Sequence, residues 1–373
     1  MMQCTDWQDW LRLSQVAGLS RATARQLLNR FGGVQALFAQ SSLRLGECLP
    51  PSMVDALLTP PPHWPALCEC TETWLSEAPT ERAIWSQACP HYPPGLLDLD
   101  DAPLMVYVQG QLHWPQGPAV AVVGSRNPSP QGLYNAEQFG EELCLAGLCV
   151  VSGLALGVDG AAHRGALKGA LQRPGVSSWP TLAVLGHGLD QVYPRQHRGL
   201  AEGISAHGLL LSEFSLGEPP RSHHFPLRNR LIAALAQGTL VIEAAPLSGS
   251  LITAHQALEL GREVMAIPGS IHAPQARGCH SLIRQGAALI ERTHDVLEAL
   301  GQCGLPLQER PPSAPASAEE AALLTALGHE SSSLDQLVQR TGWDPDPLLA
   351  HLLRLEMAGR VRREQGNRYQ ALP

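Results

Sequence analysis

Short apolar runs separated by helix-like stretches dominate the middle of the chain. Seven runs have the length and aliphatic content of buried parallel strands, at residues 120–123, 148–151, 182–185, 209–211, 240–242, 264–267 and 288–290. Helical patterns lie between most of them, near 131–146, 156–170, 195–206, 228–236 and 250–260. Such alternation predicts a doubly wound α/β sheet, whose ligands bind at the carboxyl ends of the strands. One more strand is expected at 105–108.

The apolar spacing before residue 80 predicts short helices over 6–60 and another helix over 66–78. The prolines between 50 and 65 indicate turns and linker. Residues 16–33 resemble a helix-hairpin-helix, with Gly18 in the turn and Ser20 where a second glycine is usual. Two interpretations of this region stay open: contact with a DNA phosphate, and a small packing or protein-contact domain.

The last 70 residues have a different pattern. Residues 301–317 are rich in proline, serine and alanine, which indicates a linker. Three helical segments and a hairpin that turns at Gly366-Asn367 then predict a winged helix. Its third helix carries Asp346, Glu356 and a single arginine, which favours protein contact or weak backbone binding over base reading. The expected domains are 1–80, 81–302 and 319–373, with a linker at 303–318.

Composition limits the kinds of partner. The chain has 373 residues and a net charge of −8, so it would need a focused basic patch to bind nucleic acid. Nearly every cation is an arginine, which suits bidentate phosphate contacts. Nine scattered cysteines form no Cys-x-x-Cys pair, and no signal-peptide or membrane-spanning pattern is present. We expect a cytoplasmic protein without a membrane contact, metal or cofactor.

The segment 225–235 concentrates candidate binding side chains. Phe225, Arg228, Asn229 and Arg230 lie within six residues, and Arg221 stands just before them. No acidic residue occurs between residues 218 and 243, so these arginines have no nearby sequence partner. Guanidinium groups beside an aromatic ring suit a polyanion that also carries planar bases.

Small residues follow four of the predicted strands. Glycines there let a ligand approach the backbone, and open helix N-termini offer amide donors to anions. Together the four turns predict a phosphate-binding rim, formed with Arg126 by Gly124, Ser125, Ser152, Gly153, Gly186, Gly188, Ser248, Gly249, Ser250 and Thr253.

Over residues 120–295 the chain closely resembles the DNA-processing protein A family (DprA, also called Smf). The resemblance lies in the motifs at 123–126, 152–163, 188–194, 212–213, 225–230, 248–253, 261–269 and 282–286. It implies an extended Rossmann-like fold, with a helical domain before it and a winged helix after it. It also implies a homodimer that binds single-stranded DNA and loads the recombinase RecA, which serves natural transformation.

The family resemblance also implies roles for individual side chains. Arg126 would clamp a backbone phosphate, and Arg195 and Arg221 would supply further cations near the pocket. Phe225 would stack on a base, while Arg228 and Arg230 would hold phosphates or shape the pocket, with Asn229 beside them. Ser248, Ser250 and Thr253 would donate to phosphate.

Structural roles are open for some of the same residues. Arg230 could pair with Glu243 inside the fold, and Asp159 and His163 could hold a turn against its helix.

Two other functions remain open. No catalytic motif is present, so we expect a binding protein and not an enzyme. The sheet also resembles phosphoribohydrolases, although 246–253 lacks their double glycine, and Glu243 would then be the catalytic candidate. A transcription regulator that uses the winged helix is the third possibility.

Overall fold

The computed structural model describes residues 6–113, 117–172, 179–302, 317–328, 331–358, 360–364 and 366–371. The chain divides into two compact units. The larger unit contains residues 1–128 and 135–307, and the smaller contains 129–134 and 308–373. The predicted linker at 303–318 lies outside the described residues except for its last two.

Nine strands form the sheet of the larger unit: β1 (Arg82–Ser86), β2 (Met105–Gly110), β3 (Ala119–Gly124), β4 (Cys149–Ser152), β5 (Thr181–Leu185), β6 (Leu209–Ser212), β7 (Gly238–Ile242), β8 (Glu263–Ala266) and β9 (Ala288–Leu289). Their order is β1-β2-β6-β5-β4-β3-β7-β8-β9. Strands β3 to β9 pair in parallel, whereas β2 is antiparallel to β6 and β1 to β2. The predicted parallel α/β sheet is confirmed. The antiparallel edge strand β1 was not predicted.

Thirteen helices are described in the part of the chain up to residue 302: α1 (Trp7–Ser14), α2 (Arg21–Phe31), α3 (Val34–Phe38), α4 (Ser42–Gly46), α5 (Pro51–Leu58), α6 (Trp64–Glu77), α7 (Pro130–Leu145), α8 (Val158–Gln172), α9 (Arg198–His207), α10 (His224–Ala234), α11 (Gly249–Glu259), α12 (Arg277–Arg284) and α13 (Thr293–Ala299). Short 3₁₀ turns lie at Pro94–Asp98, Arg195–His197 and Pro274–Ala276. The prolines of 50–65 break up any long helix here, and α5 is one of the short helices predicted over 6–60. Pro51 lies in the first turn of that helix, where a backbone N–H has no intrahelical acceptor, so the N–H that proline lacks is not missed.

The two faces of the sheet build two hydrophobic cores. In β5, Leu182 and Val184 belong to one core, whereas Ala183 and Leu185 belong to the other, as the period of two in a strand requires. The second core continues into the N-terminal helices through residues such as Trp10. The N-terminal helices therefore pack directly on one face of the sheet.

The smaller unit contains α14 (Ala318–Leu327), β10 (Ser332–Ser333), α15 (Leu334–Thr341), α16 (Pro345–Met357), β11 (Val361–Glu364) and β12 (Arg368–Ala371). Its three strands have the order β10-β12-β11. Gly366 and Asn367 both have positive φ, which confirms the predicted hairpin turn. A capping box between Ser333 and Gln336 starts α15. This arrangement confirms the winged helix.

Within the described ranges, no helix is long and apolar enough to cross a bilayer.

Candidate functional site

The route of the chain through the sheet creates a cleft. After β3 the chain continues to β4, β5 and β6 on one side, and only later places β7 on the other side of β3. At such a reversal of strand order, a parallel sheet leaves a crevice beyond its carboxyl ends. A cleft of about 780 Å³ opens there. Its volume lies in the range of ligand sites.

Five segments line the cleft: the end of β3, the start of α8 with the turn before it, the loop after β5, α10 with the loop before it, and the turn from β7 into α11. Their lining residues are Val123, Gly124, Ser125, Arg126, Asn127, Ala155, Asp159, Tyr193, Pro220, Ser222, Phe225, Pro226, Arg228, Asn229, Ile232, Ala245, Leu247, Ser248, Gly249, Ser250, Ile252 and Thr253.

Arg126 is an exposed cation at the rim of the cleft. Its guanidinium carbon lies 5.2 Å from the centroid of the Phe225 ring, within cation–π range. The backbone N–H of Asn127 donates to Ser125 Oγ over 3.1 Å and tightens the bend that presents this arginine. With the described residues, Arg126 forms no ion pair or hydrogen bond, so its N–H groups are available to an anion.

The N-terminus of α11 forms another part of the cleft lining. Ser248 is the N-cap, and its hydroxyl accepts from the Ser250 N–H over 3.4 Å and lies 2.7 Å from the Ser250 hydroxyl. Asn229 donates to the Gly249 carbonyl over 3.3 Å and links α10 to this turn. The exposed amides and the positive end of the helix dipole favour an anion here.

The floor of the cleft contains a second arginine in a different setting. Arg228 is 3% exposed, and its Nη1 donates to the Gly153 carbonyl over 2.5 Å and to the Val184 carbonyl. Burial lowers the pKa of Arg228 to about 10, and Asp159 opposes that shift. Since Gly153 follows β4 and Val184 lies in β5, Arg228 ties two strand ends together. Of the two roles that the sequence suggested for Arg228, this geometry favours shaping the pocket.

Asp159 completes the floor. Its carboxylate accepts from the Gly153 N–H over 3.2 Å. Burial raises the pKa of Asp159, and Arg228 opposes the rise. A Cβ on Gly153 would lie 2.2 Å from an Arg228 nitrogen, so only glycine fits between these two charged groups. Asp159 therefore holds the turn before α8, as one sequence interpretation expected.

Arg230 faces away from the cleft and joins an ion-pair cluster. It pairs with Glu213 over 2.5 Å and with Asp101 over 3.2 Å. Arg21, in the first turn of α2, pairs with the same Glu213 over 2.7 Å. The expected partner Glu243 is wrong, because the carboxylate that meets Arg230 follows β6 and not β7. Arg21 thus fixes the helix-hairpin-helix-like segment to the sheet, which favours its packing interpretation.

The structure brings together ten of the seventeen predicted site residues as cleft lining: Gly124, Ser125, Arg126, Phe225, Arg228, Asn229, Ser248, Gly249, Ser250 and Thr253. Seven do not line it: Ser152, Gly153, Gly186, Gly188, Arg195, Arg221 and Arg230. Ser152 is buried and donates to the Val122 carbonyl over 2.6 Å. Arg221 pairs with Glu218 over 3.3 Å, and Arg195 is exposed on its 3₁₀ turn.

Sequence reasoning missed Tyr193, Asn127 and Leu247 as lining residues. Tyr193 lies in the loop after β5, and its ring centroid is 5.9 Å from that of Phe225, with a 32° angle between the planes. Leu247 is 99% exposed at the rim. A tyrosine at the end of a strand-to-helix loop was a usable signal, because such loops converge at the carboxyl edge of the sheet.

Fold and site together define a Rossmann-like α/β protein whose cleft carries an exposed arginine, an aromatic ring and a helix N-terminus at the switch point of the sheet. The chain belongs to the DNA recombination-mediator protein A family, whose model matches residues 83–301. The DprA winged helix domain matches residues 307–367. The family expected from the sequence motifs is confirmed.

Two relatives illustrate the extent of the sequence similarity. The chain is 42% identical over 300 residues to Protein Smf of Escherichia coli (strain K12), covering 78% of this chain and 77% of that protein. It is 45% identical over 206 residues to DNA processing protein DprA of Streptococcus pneumoniae (strain ATCC BAA-255 / R6), covering 55% of this chain and 70% of that protein.

Two solved structures share the fold. DNA processing protein A of Streptococcus pneumoniae matches with a TM-score of 0.65 and 34% identity, covering 80% of this chain and 98% of that one. DNA processing protein A of Helicobacter pylori, described with a single-stranded DNA binding mode, matches with a TM-score of 0.51 and 27% identity, covering 59% and 96%.

Proposed function

We propose that this protein binds single-stranded DNA in the cleft and loads the recombinase RecA onto it, acting as a cytoplasmic homodimer in recombination and natural transformation. The observation that supports this most directly is the position of Arg126. It is exposed and without an ionic partner among the described residues, and it lies against the Phe225 ring in the cleft that the N-terminus of α11 also lines.

Each side of the rim suits one part of a DNA strand. The Arg126 guanidinium offers a paired donor to a phosphate. The amides of α11, with Ser248, Ser250 and Thr253, offer a second anion site. Phe225 adds an aromatic surface near both. A chain of net charge −8 would thus attract DNA locally, through these few groups.

Single strands fit this arrangement better than duplexes. Aromatic stacking in such sites needs an unpaired base face, and base pairing and stacking inside a duplex hide that face. The cleft combines phosphate donors and an aromatic ring within one volume of about 780 Å³. A backbone and an adjacent base can therefore be held together.

We propose that the homodimer forms through the β8–β9 end of the sheet. β9 is a two-residue edge strand, and Leu289 on it is 49% exposed. Ile271, which follows β8, is 74% exposed, and Leu258 on α11 is 49% exposed. Exposed apolar side chains, together with an edge strand that has only β8 as a partner among the described strands, favour association with a second copy. Leu289→Asp should shift the protein from dimer to monomer in sedimentation.

The DNA proposal is tested by fluorescence anisotropy with an unstructured single strand and a matched duplex across a range of salt. We expect preference for the single strand. Log affinity should fall with log salt by about 0.7 per phosphate neutralised, with a shallower slope for Arg126→Ala. Arg198→Ala, at an exposed arginine of α9 that does not line the cleft, is the matched control. Equal duplex binding that Arg126→Ala leaves unchanged contradicts the proposal.

The recombinase step is tested separately. Formation of RecA filaments on a strand coated with single-strand-binding protein should accelerate with the wild type and not with Arg126→Ala. If acceleration persists in the variant, loading does not pass through the cleft.

Nothing in the geometry favours the phosphoribohydrolase alternative, because Glu243 is not among the residues that line the cleft.

A further inference from the structure

Two aromatic rings lie in the cleft, and their surroundings differ. Phe225, in the first turn of α10, is partly buried, whereas Tyr193 is 48% exposed. Their centroids are 5.9 Å apart, within the range of aromatic pairs. The loop that carries Tyr193 comes from β5, and α10 comes from the segment after β6. Two separate segments of the chain thus converge to form one aromatic pair.

Phe225 is already engaged by protein groups. Its Cδ1 would lie 3.2 Å from a Cβ on Gly186, so the ring packs directly on the backbone there. The Arg126 guanidinium carbon lies 5.2 Å from its centroid, and the Tyr193 ring lies next to it as well. These three contacts leave Phe225 well suited to support another ring and less suited to receive a base itself.

Tyr193 has the opposite character. Nearly half of it is open to solvent, and its hydroxyl forms no hydrogen bond with the described residues. The only ring contact it makes with that part of the chain is with Phe225. A flat, exposed ring that is supported from one side is the form of surface on which successive bases stack.

We propose that Tyr193 is the base-stacking platform of the cleft and that Phe225 supports it from within. This inference rests on the proposed function, since it concerns the same bound strand. A phosphate held by Arg126 would place an attached base on the exposed Tyr193 ring, which in turn packs against Phe225 at a tilt of 32°. Because every base has a π-face, the platform tolerates all sequences. Because it needs an unpaired base, it is the residue that selects single strands over duplexes.

The test uses the full chain, the variants Tyr193→Ala and Tyr193→Phe, and two probes of equal length. One probe is oligodeoxythymidylate, and the other has the same sugar-phosphate backbone with abasic sites in place of every base. Tyr193→Ala should weaken binding of the thymidylate strand by about 5- to 150-fold, the typical range for the loss of one stacked base. Binding of the abasic strand should stay unchanged. Tyr193→Phe, which keeps the ring, should bind both probes as the wild type does.

Salt dependence separates this proposal from the phosphate contacts. Tyr193→Ala should keep the wild-type slope of log affinity against log salt, since it removes no phosphate contact. Tyr193→Leu keeps apolar bulk without a π-face and carries the same test if the alanine variant fails to fold. An alanine or leucine variant that binds thymidylate as tightly as the wild type overturns the inference, and so does equal weakening of both probes. A wild type that fails to bind the thymidylate strand overturns the proposed function as well.

Discussion

Arg126 at the rim of the cleft and Arg228 in its floor are the same amino acid within one cavity, yet the protein uses them differently. Arg126 is exposed, packs against the Phe225 ring and forms no hydrogen bond or ion pair with the described residues. Arg228 is buried, donates to two carbonyls and influences the titration of Asp159. The rim is therefore built for a ligand and the floor for the fold.

The largest effect should come from the floor. Arg228→Ala removes the guanidinium donor to two buried carbonyls and the charge that offsets Asp159. We expect the free energy of unfolding to fall by about 3–5 kcal/mol in urea denaturation. Arg126→Ala should change it by less than about 0.5 kcal/mol. Similar losses for the two variants would remove the distinction between floor and rim.

The other buried arginine of α10 gives the next effect. Glu213→Gln removes the carboxylate shared by Arg230 and Arg21, although Asp101 still faces Arg230. We expect a loss of about 1.5–3 kcal/mol, the range for hydrogen bonds to charged groups. Glu47→Gln breaks an exposed ion pair with Arg30 and should lose less than about 1 kcal/mol in the same assay. A Glu213→Gln loss no larger than that of Glu47→Gln contradicts a structural role for the cluster.

A third effect depends on pH. His163 is buried, and its Nδ1 lies 2.6 Å from the Thr181 hydroxyl, which itself donates to the Val150 carbonyl. Because Thr181 uses its one hydroxyl proton on Val150, His163 Nδ1 must carry the proton of the His163–Thr181 hydrogen bond. Burial, followed by the neighbouring His197 and Arg228, lowers the pKa of His163 to about 3.

The unfolded chain binds a proton at His163 below pH of about 6.5, whereas the folded chain does so only near pH 3. The folded state, which holds His163 neutral, is therefore at its most stable with respect to this residue above pH of about 6.5. It loses that stability as the pH falls towards 3. Between pH 7.5 and pH 5 this histidine should lower the free energy of unfolding by about 2 kcal/mol. The difference between the pH curves of wild type and His163→Gln measures it. His223→Gln, at an exposed histidine, should reproduce the wild-type curve.

The next stability effect is smaller and lies at the rim of the cleft. Ser248→Ala removes the N-cap of α11 and should lower the free energy of unfolding by about 1 kcal/mol. Ser248→Asp keeps a capping side chain and should retain stability, but it places a carboxylate at the proposed phosphate site. We expect that variant to bind single-stranded DNA at least about tenfold more weakly, from like-charge repulsion. Unchanged affinity of Ser248→Asp would remove α11 from the binding site.

The sequence predicted the strands well because buried parallel strands are continuous apolar runs, as in β3 and β7. It did not reveal β1, whose Arg82 and Ser86 ends make the run look like a loop boundary. It allowed for α5 among the short helices of 6–60, because a proline is tolerated in the first turn of a helix.

The candidate site was predicted only in part, because local motifs locate turns but not long-range contacts. Motifs indicated the turns that meet at the cleft, so Arg126, Phe225 and Ser248 were found. Whether Arg228 and Arg230 face ligand or interior depends on Gly153, Val184 and Glu213, which lie far away in sequence. No pattern local to α10 carries that information.

The strand order of the sheet has a consequence for how such proteins diversify. The crevice between β3 and β7 follows from the path of the chain, so it persists whatever side chains surround its mouth. Exposed positions such as Leu247 can be exchanged with little loss of stability. Substitutions at the mouth can therefore change the ligand preference of this crevice in small steps. Substitutions in the buried floor destabilise the fold.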